Sequence, residues 1–215
     1  MHDILLYLYL IILLLTAIVG LRQFKLLDIA AKILSILIVI SFIDELCSFY
    51  ATKRYHNDIP IYNIFSVIEF ILVALYFNYS IDFFRKFRIG IYIGIASCLI
   101  GIADIWYQTI NHLDSYFLFF DGIATITMSL YSIARLVQKY DDLELKYYPH
   151  FWISTILTFF WAFTFLTFGL YDYLQDAKTG KWITTHIQLP ANIITYTGIC
   201  IVFIFFPKMS KNNER

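Results

Sequence analysis

"ILLYLYLIILLLTAIVGL", residues 4–21, holds no charged residue and no proline. Wound as an α-helix at ~1.5 Å per residue, a run of this length nearly crosses the ~30 Å hydrocarbon core of a bilayer. A secretory leader would carry its basic residues ahead of the apolar run, whereas Arg22 and Lys25 follow it here. The stretch therefore reads as a retained membrane helix with its N-terminus outside.

The rest of the chain suits the same solvent. Of its 215 residues 60% are hydrophobic and 15% charged, against about 25% charged in a soluble domain. Aromatic residues reach 20%, and Tyr and Trp favour the headgroup level, where a ring is half buried. Sixteen basic residues balance sixteen acidic ones, and no basic run is longer than "FRKFR" at 84–88, which argues against nucleic acid as a partner. Cys47, Cys98 and Cys200 fall in apolar segments without CxxC spacing, so they read as packing residues rather than a disulfide or zinc framework.

A window of roughly 20 apolar residues picks out seven segments, at about 4–21, 27–50, 60–78, 89–107, 115–136, 150–171 and 187–206. The expected fold is an all-α integral membrane protein. Seven transmembrane helices form one bundle over residues 1–207, with a basic cytoplasmic tail at 208–215. With the N-terminus outside, the inner connections and tail hold Arg22, Lys25, Arg85, Lys86, Arg88, Arg135, Lys139, Lys146, Lys208, Lys211 and Arg215. The outer connections hold Lys53, Arg54, Lys178 and Lys181. Eleven against four is the bias of a positive-inside protein, so the C-terminus is expected inside.

In this orientation the polar residues gather on one side. His2, His56, His112 and His186 fall at the outer face and His150 at the inner one. Asp44, Glu45, Asp104 and Asp121 lie in the outer parts of their spans, and Glu69 lies near mid-depth. An ionised carboxylate at mid-depth costs at least ~2.5–3.5 kcal/mol, so Glu69 is expected to face the protein interior. Tyr62, Ser66, Glu69, Val73 and Tyr76 follow helical spacing along one stripe, and Gln188, Asn192, Thr195 and Ile199 form another. The expected site is a polar outer cavity lined by Glu45, Asn63, Ser66, Glu69, Asp104, Asp121 and Asn192. The competing reading makes the hydroxyl and small residues interhelical packing groups.

Two stretches are nearly the same phrase: "HNDIPIYNIFS" at 56–66 and "HIQLPANIIT" at 186–195. Each sets a histidine, a proline, an asparagine and a hydroxyl residue at the start of an expected span. Parallel repeats of helical units occur in carriers, with a binding site between them. Proline in a helix's first turn is also ordinary, because its missing N–H costs nothing there.

The layout resembles the SWEET class of sugar carriers, through seven expected helices and the two asparagines Asn63 and Asn192. That resemblance implies transport by rocking of two three-helix units. The sequence departs from it in having prolines only at 60, 149, 190 and 207, none where those carriers place their hinges. The chain also looks like the seven-helix N-terminal sensor regions of bacterial histidine kinases, and like small seven-helix bacterial proteins of unknown function. The stretch "FSVIEFILVALYFNYS" at 65–80, followed by the basic 84–88 run, carries that likeness. It implies sensing, relayed to a separate cytoplasmic partner.

Other chemistries fit less well. No lysine lies between Lys181 and Lys208 to hold retinal, and His186-x3-Pro190 lacks the second histidine of a ceramidase-type zinc helix. His56, His112 and His186 remain the only metal candidates, with no chelating pair on one helix. No GxSxG or phosphate loop is present. The favoured expectation is a multi-pass protein of a bacterial inner membrane, sensing a small ligand from outside, without a cofactor. Its expected partners are the lipid bilayer, that ligand and a cytoplasmic signalling protein. The alternatives are a small solute or proton-coupled carrier, and a metal-dependent membrane hydrolase.

Overall fold

A computed structural model describes residues 2–108, 110, 115–139, 145–171 and 184–213. Among these are eight α-helices: α1 (His2–Gln23), α2 (Ile29–Tyr55), α3 (Ile59–Ser80), α4 (Asp82–Phe87), α5 (Ile89–Gln108), α6 (Ser115–Lys139), α7 (Pro149–Tyr171) and α8 (Leu189–Asn213). A π-helical turn, Thr184–Gln188, leads into α8. No strand occurs among the described residues.

The repeated phrase is a repeated helix start. α2 ends where His56 takes the left-handed conformation, φ 57°, and its N–H returns to Thr52 O at 3.1 Å, a helix-ending geometry usually given to glycine. Asn57 Oδ1 then accepts from the Ile59 N–H at 3.1 Å, and Pro60 enters the first turn of α3. α8 opens in the same way, on Leu189 and Pro190. Fixed proline φ and a dispensable N–H suit both positions. The approaches differ, one through a left-handed residue and one through the π-turn.

The chain is a multi-pass all-α membrane protein, but the expectation of seven spans does not hold. Five described helices are long and apolar enough to cross a membrane: Ile4–Gln23, Ile59–Ser80, Ile89–Tyr107, Tyr116–Lys139 and His186–Met209. The expected spans at 27–50 and 150–171 drop out. α2 carries five charged residues, Lys32, Asp44, Glu45, Lys53 and Arg54, where the candidate span of α3 carries Glu69 alone, and each charge inside a bilayer is costly. α7 holds no Asp, Glu, Lys or Arg; its side chains are described to Phe165, so the end of the expected span 150–171 lies outside the described residues.

The chain divides into two compact units, and the division falls within α6. The central unit is Ile29–Asp121. In it α3 packs against both α2 and α5. Small residues let α5 approach closely: a Cβ on Gly90 would stand 2.3 Å from Ala74 O and 2.5 Å from Asn78 Cβ. A Cβ on Gly101 would meet Val67 Cγ2 at 2.5 Å. Close backbone approach of this kind is how apolar helices gain packing contacts where lipid is as apolar as they are. Beyond the seam, buried Phe70 meets Phe117 and Phe120 edge-on, at 6.3 and 5.6 Å between ring centres.

The terminal unit combines Met1–Asp28 with Gly122–Arg215. α8 packs against α1 and α7. Thr16 Oγ1 lies within hydrogen-bonding distance of Ile12 O, 2.8 Å, and of Tyr196 O, 3.0 Å, so one hydroxyl links α1 to α8. Ser154 Oγ donates to Ser132 Oγ at 3.0 Å, tying α7 to α6. His150 Nε2 lies 2.6 Å from Asp28 Oδ2, with the buried imidazole set edge-on to Tyr148 and Phe206.

Candidate functional site

Six of the seven residues expected to line a cavity belong to the central unit: Glu45, Asn63, Ser66, Glu69, Asp104 and Asp121. Asn192 belongs to the terminal unit, half-buried in the first turn of α8. Of the histidines, His56 is exposed in its left-handed turn and His186 is exposed in the π-turn. His112 lies outside the described residues. Among the described residues no group of three or more His, Cys, Asp or Glu is arranged to hold a metal ion.

α3 is the axis of the site. Its most buried residues are Asn63, Ser66, Phe70, Val73, Ala74, Tyr76, Phe77 and Asn78, the broad arc expected of a helix enclosed by neighbours on two sides. Asn63 is fully buried, and its Nδ2 donates to Ile110 O at 3.2 Å. That bond holds the chain that leaves α5 against the start of α3. Ser66 Oγ donates to Asn63 O at 2.9 Å, inside its own helix.

Asp104, almost fully buried near the end of α5, accepts from the Phe117 N–H at 2.9 Å. Phe117 is the third residue of α6, and the first N–H groups of a helix have no partner within it. Asp104 thus caps α6 from the preceding helix, where a carboxylate is favoured by the helix dipole. Asp121 is fully buried one turn beyond Phe117, on the same face of α6.

Glu69 is placed differently. It is half-buried on the flank of α3, and it makes no hydrogen bond or ion pair among the described residues. The charges that act on it are two further carboxylates, Asp44 and Glu45 of α2. Asp44 in turn feels Glu45 and Asp58, the residue just before α3. Four acids from two helices and their connection thus form one electrostatic group. Asp44 and Asp58 were not among the expected lining residues. Their signal was faint: Asp44 adjoins Glu45, and Asp58 stands two residues before Pro60.

The arrangement separates two kinds of polar residue. Asn63 and Asp104 bond to backbone and fix the α5–α6 end of the unit. Glu69 and Asp44 hold no hydrogen-bonding partner among the described residues and repel each other when charged. Neighbouring carboxylates of this kind are stabilised by binding a cation or a proton. No protein-family model, curated protein or solved structure matches the chain, so its chemistry is read from this geometry.

Proposed function

We propose that the protein is a sensor or regulatory receptor-like module of a bacterial inner membrane, which responds to a small cation or to protons at the Asp44–Glu45–Glu69 group. The observation that carries this reading is Glu69, an acid within a candidate span that lies in the field of two other acids and has no hydrogen-bonding partner among the described residues. A charge held there costs at least ~2.5–3.5 kcal/mol, and that cost persists only where something offsets it or uses it. A bound cation or proton relieves the repulsion between α2 and α3 and changes their packing. A cytoplasmic partner would read that change.

The test is Glu69→Gln, which keeps the size and removes the titration. In detergent, the wild-type melting temperature should move with pH between 5 and 8 and with added organic cations, and the variant should lose most of both responses. Superimposable profiles for the two folded proteins would end this reading. Asp44→Asn should weaken the same response, because it removes one of the two charges that act on Glu69.

A further inference from the structure

α4, Asp82–Phe87, is too short to cross anything, and it joins two candidate spans, α3 and α5. Helical backbone breaks on both sides of it. Ile81 is extended, φ −112° and ψ 114°, and Arg88 is left-handed, φ 54° and ψ 30°. The segment is therefore a separate turn and a half of helix, about 9 Å long at ~1.5 Å per residue. Its sequence, "DFFRKF", places three kinds of surface around that turn. Phe84 is buried, which anchors the segment to its unit. Phe83 and Phe87, one turn apart, lie ring against ring at 4.9 Å, and both are exposed, at 43% and 52%. Arg85, Lys86 and Arg88 are exposed as well. Lys86 Nζ lies over the Phe87 ring, 5.5 Å from its centre.

We infer that α4 is an interfacial helix that binds the phosphate headgroups of anionic phospholipid. Two exposed phenylalanines beside three exposed cations match the boundary between acyl chains and headgroups, where apolar rings insert and basic residues meet phosphate. No other connection in the sequence carries so dense a basic run. A cluster of basic residues at the end of a span is drawn to the negative surface potential of an anionic leaflet. The charges decide the occupant: three exposed cations against one acid, Asp82, leave the segment net positive, and a neutral lipid or a purely apolar partner would not answer that charge. This inference does not rest on the sensor proposal, because α4 is separate from the acid group.

Purified full-length protein is exchanged into mixed micelles containing equal phosphatidylglycerol and phosphatidylcholine, and the retained lipid is measured by native mass spectrometry. Each basic residue near an anionic surface contributes about a fivefold preference. Wild type should therefore retain phosphatidylglycerol at least tenfold over phosphatidylcholine, with the preference falling as salt rises. The triple variant Arg85→Gln/Lys86→Gln/Arg88→Gln should lose most of it. The variant Arg135→Gln/Lys139→Gln, at the end of α6, should keep it. Equal retention of the two lipids by wild type would overturn the inference, and would leave α4 to a protein partner. So would an unchanged triple variant, an equal loss in the α6 variant, or displacement of the lipid by inorganic phosphate at matched ionic strength. The salt titration of wild type needs no substitution, so the claim stays testable if a variant does not fold.

Discussion

Asp104 and Glu69 are both acids on apolar helices, and what each touches sets them apart. Asp104 accepts from a helix N-terminus, whereas Glu69 makes no hydrogen bond or ion pair among the described residues and is acted on by the carboxylates of α2. Asp104→Ala should therefore destabilise the protein by about 1–2 kcal/mol, as the loss of a helix cap does, seen as a lower melting temperature in detergent. Asp104→Asn keeps an acceptor and should lose less. Glu69→Gln, a mimic of the neutral acid, should match wild-type stability near pH 5 and exceed it as the pH rises and repulsion among the carboxylates grows. A Glu69→Gln protein less stable than Asp104→Ala would reverse the two roles. Glu69 was conspicuous in the sequence, because an acid inside the apolar run 60–78 stands out with no knowledge of its neighbours. Sequence reasoning could not tell Asp104 from Glu69, because the Phe117 N–H lies thirteen residues away across a connection whose course no local pattern encodes. His56 was equally opaque: a metal candidate by residue type, it is a left-handed helix end by geometry.

At the scale of helices, the α3–α5 seam separates two glycines of one GxxxG pattern. A Cβ on Gly90 would stand 2.3 Å from a backbone carbonyl oxygen, whereas one on Gly94 meets nothing closer than 3.9 Å. Gly90→Ala should cost about 1–3 kcal/mol, the range for overpacking. Gly94→Ala should be neutral or stabilise by up to ~1 kcal/mol, because alanine is the better helix former. Melting temperatures of the two variants measure the difference, and equal effects would mean that the seam is looser than described. Helix positions were legible from apolar length; membrane crossing was not in every case. α2 formed close to where it was expected, yet it carries five charged residues where α3 carries one. A window average tolerates such interruptions, but a bilayer charges for each one separately. The two prolines of the repeated phrase were read correctly as helix starts, and they required no relation between the helices they open.

At the scale of the chain, several apolar helices predict that the protein stays in the membrane fraction through an alkaline carbonate wash and leaves it only with detergent. Release by carbonate would contradict a multi-pass protein. The division into units was not legible in the sequence, because no linker marks it and α6 runs through it unbroken. The terminal unit draws on both ends of the chain, and Thr16 and Tyr196, which join α1 to α8, stand 180 residues apart. That separation has a consequence for synthesis. At ~5–20 residues per second, roughly 9–36 s pass between the emergence of Thr16 and that of its partner. The central unit is complete once Asp121 has been made, while α1 must still wait with Tyr9, Leu13 and Ala17, residues that end up buried, uncovered by α8. A ribosome that stalls before α8 would leave an orphan first helix beside a finished central unit, the kind of half-assembled product that membrane quality control removes.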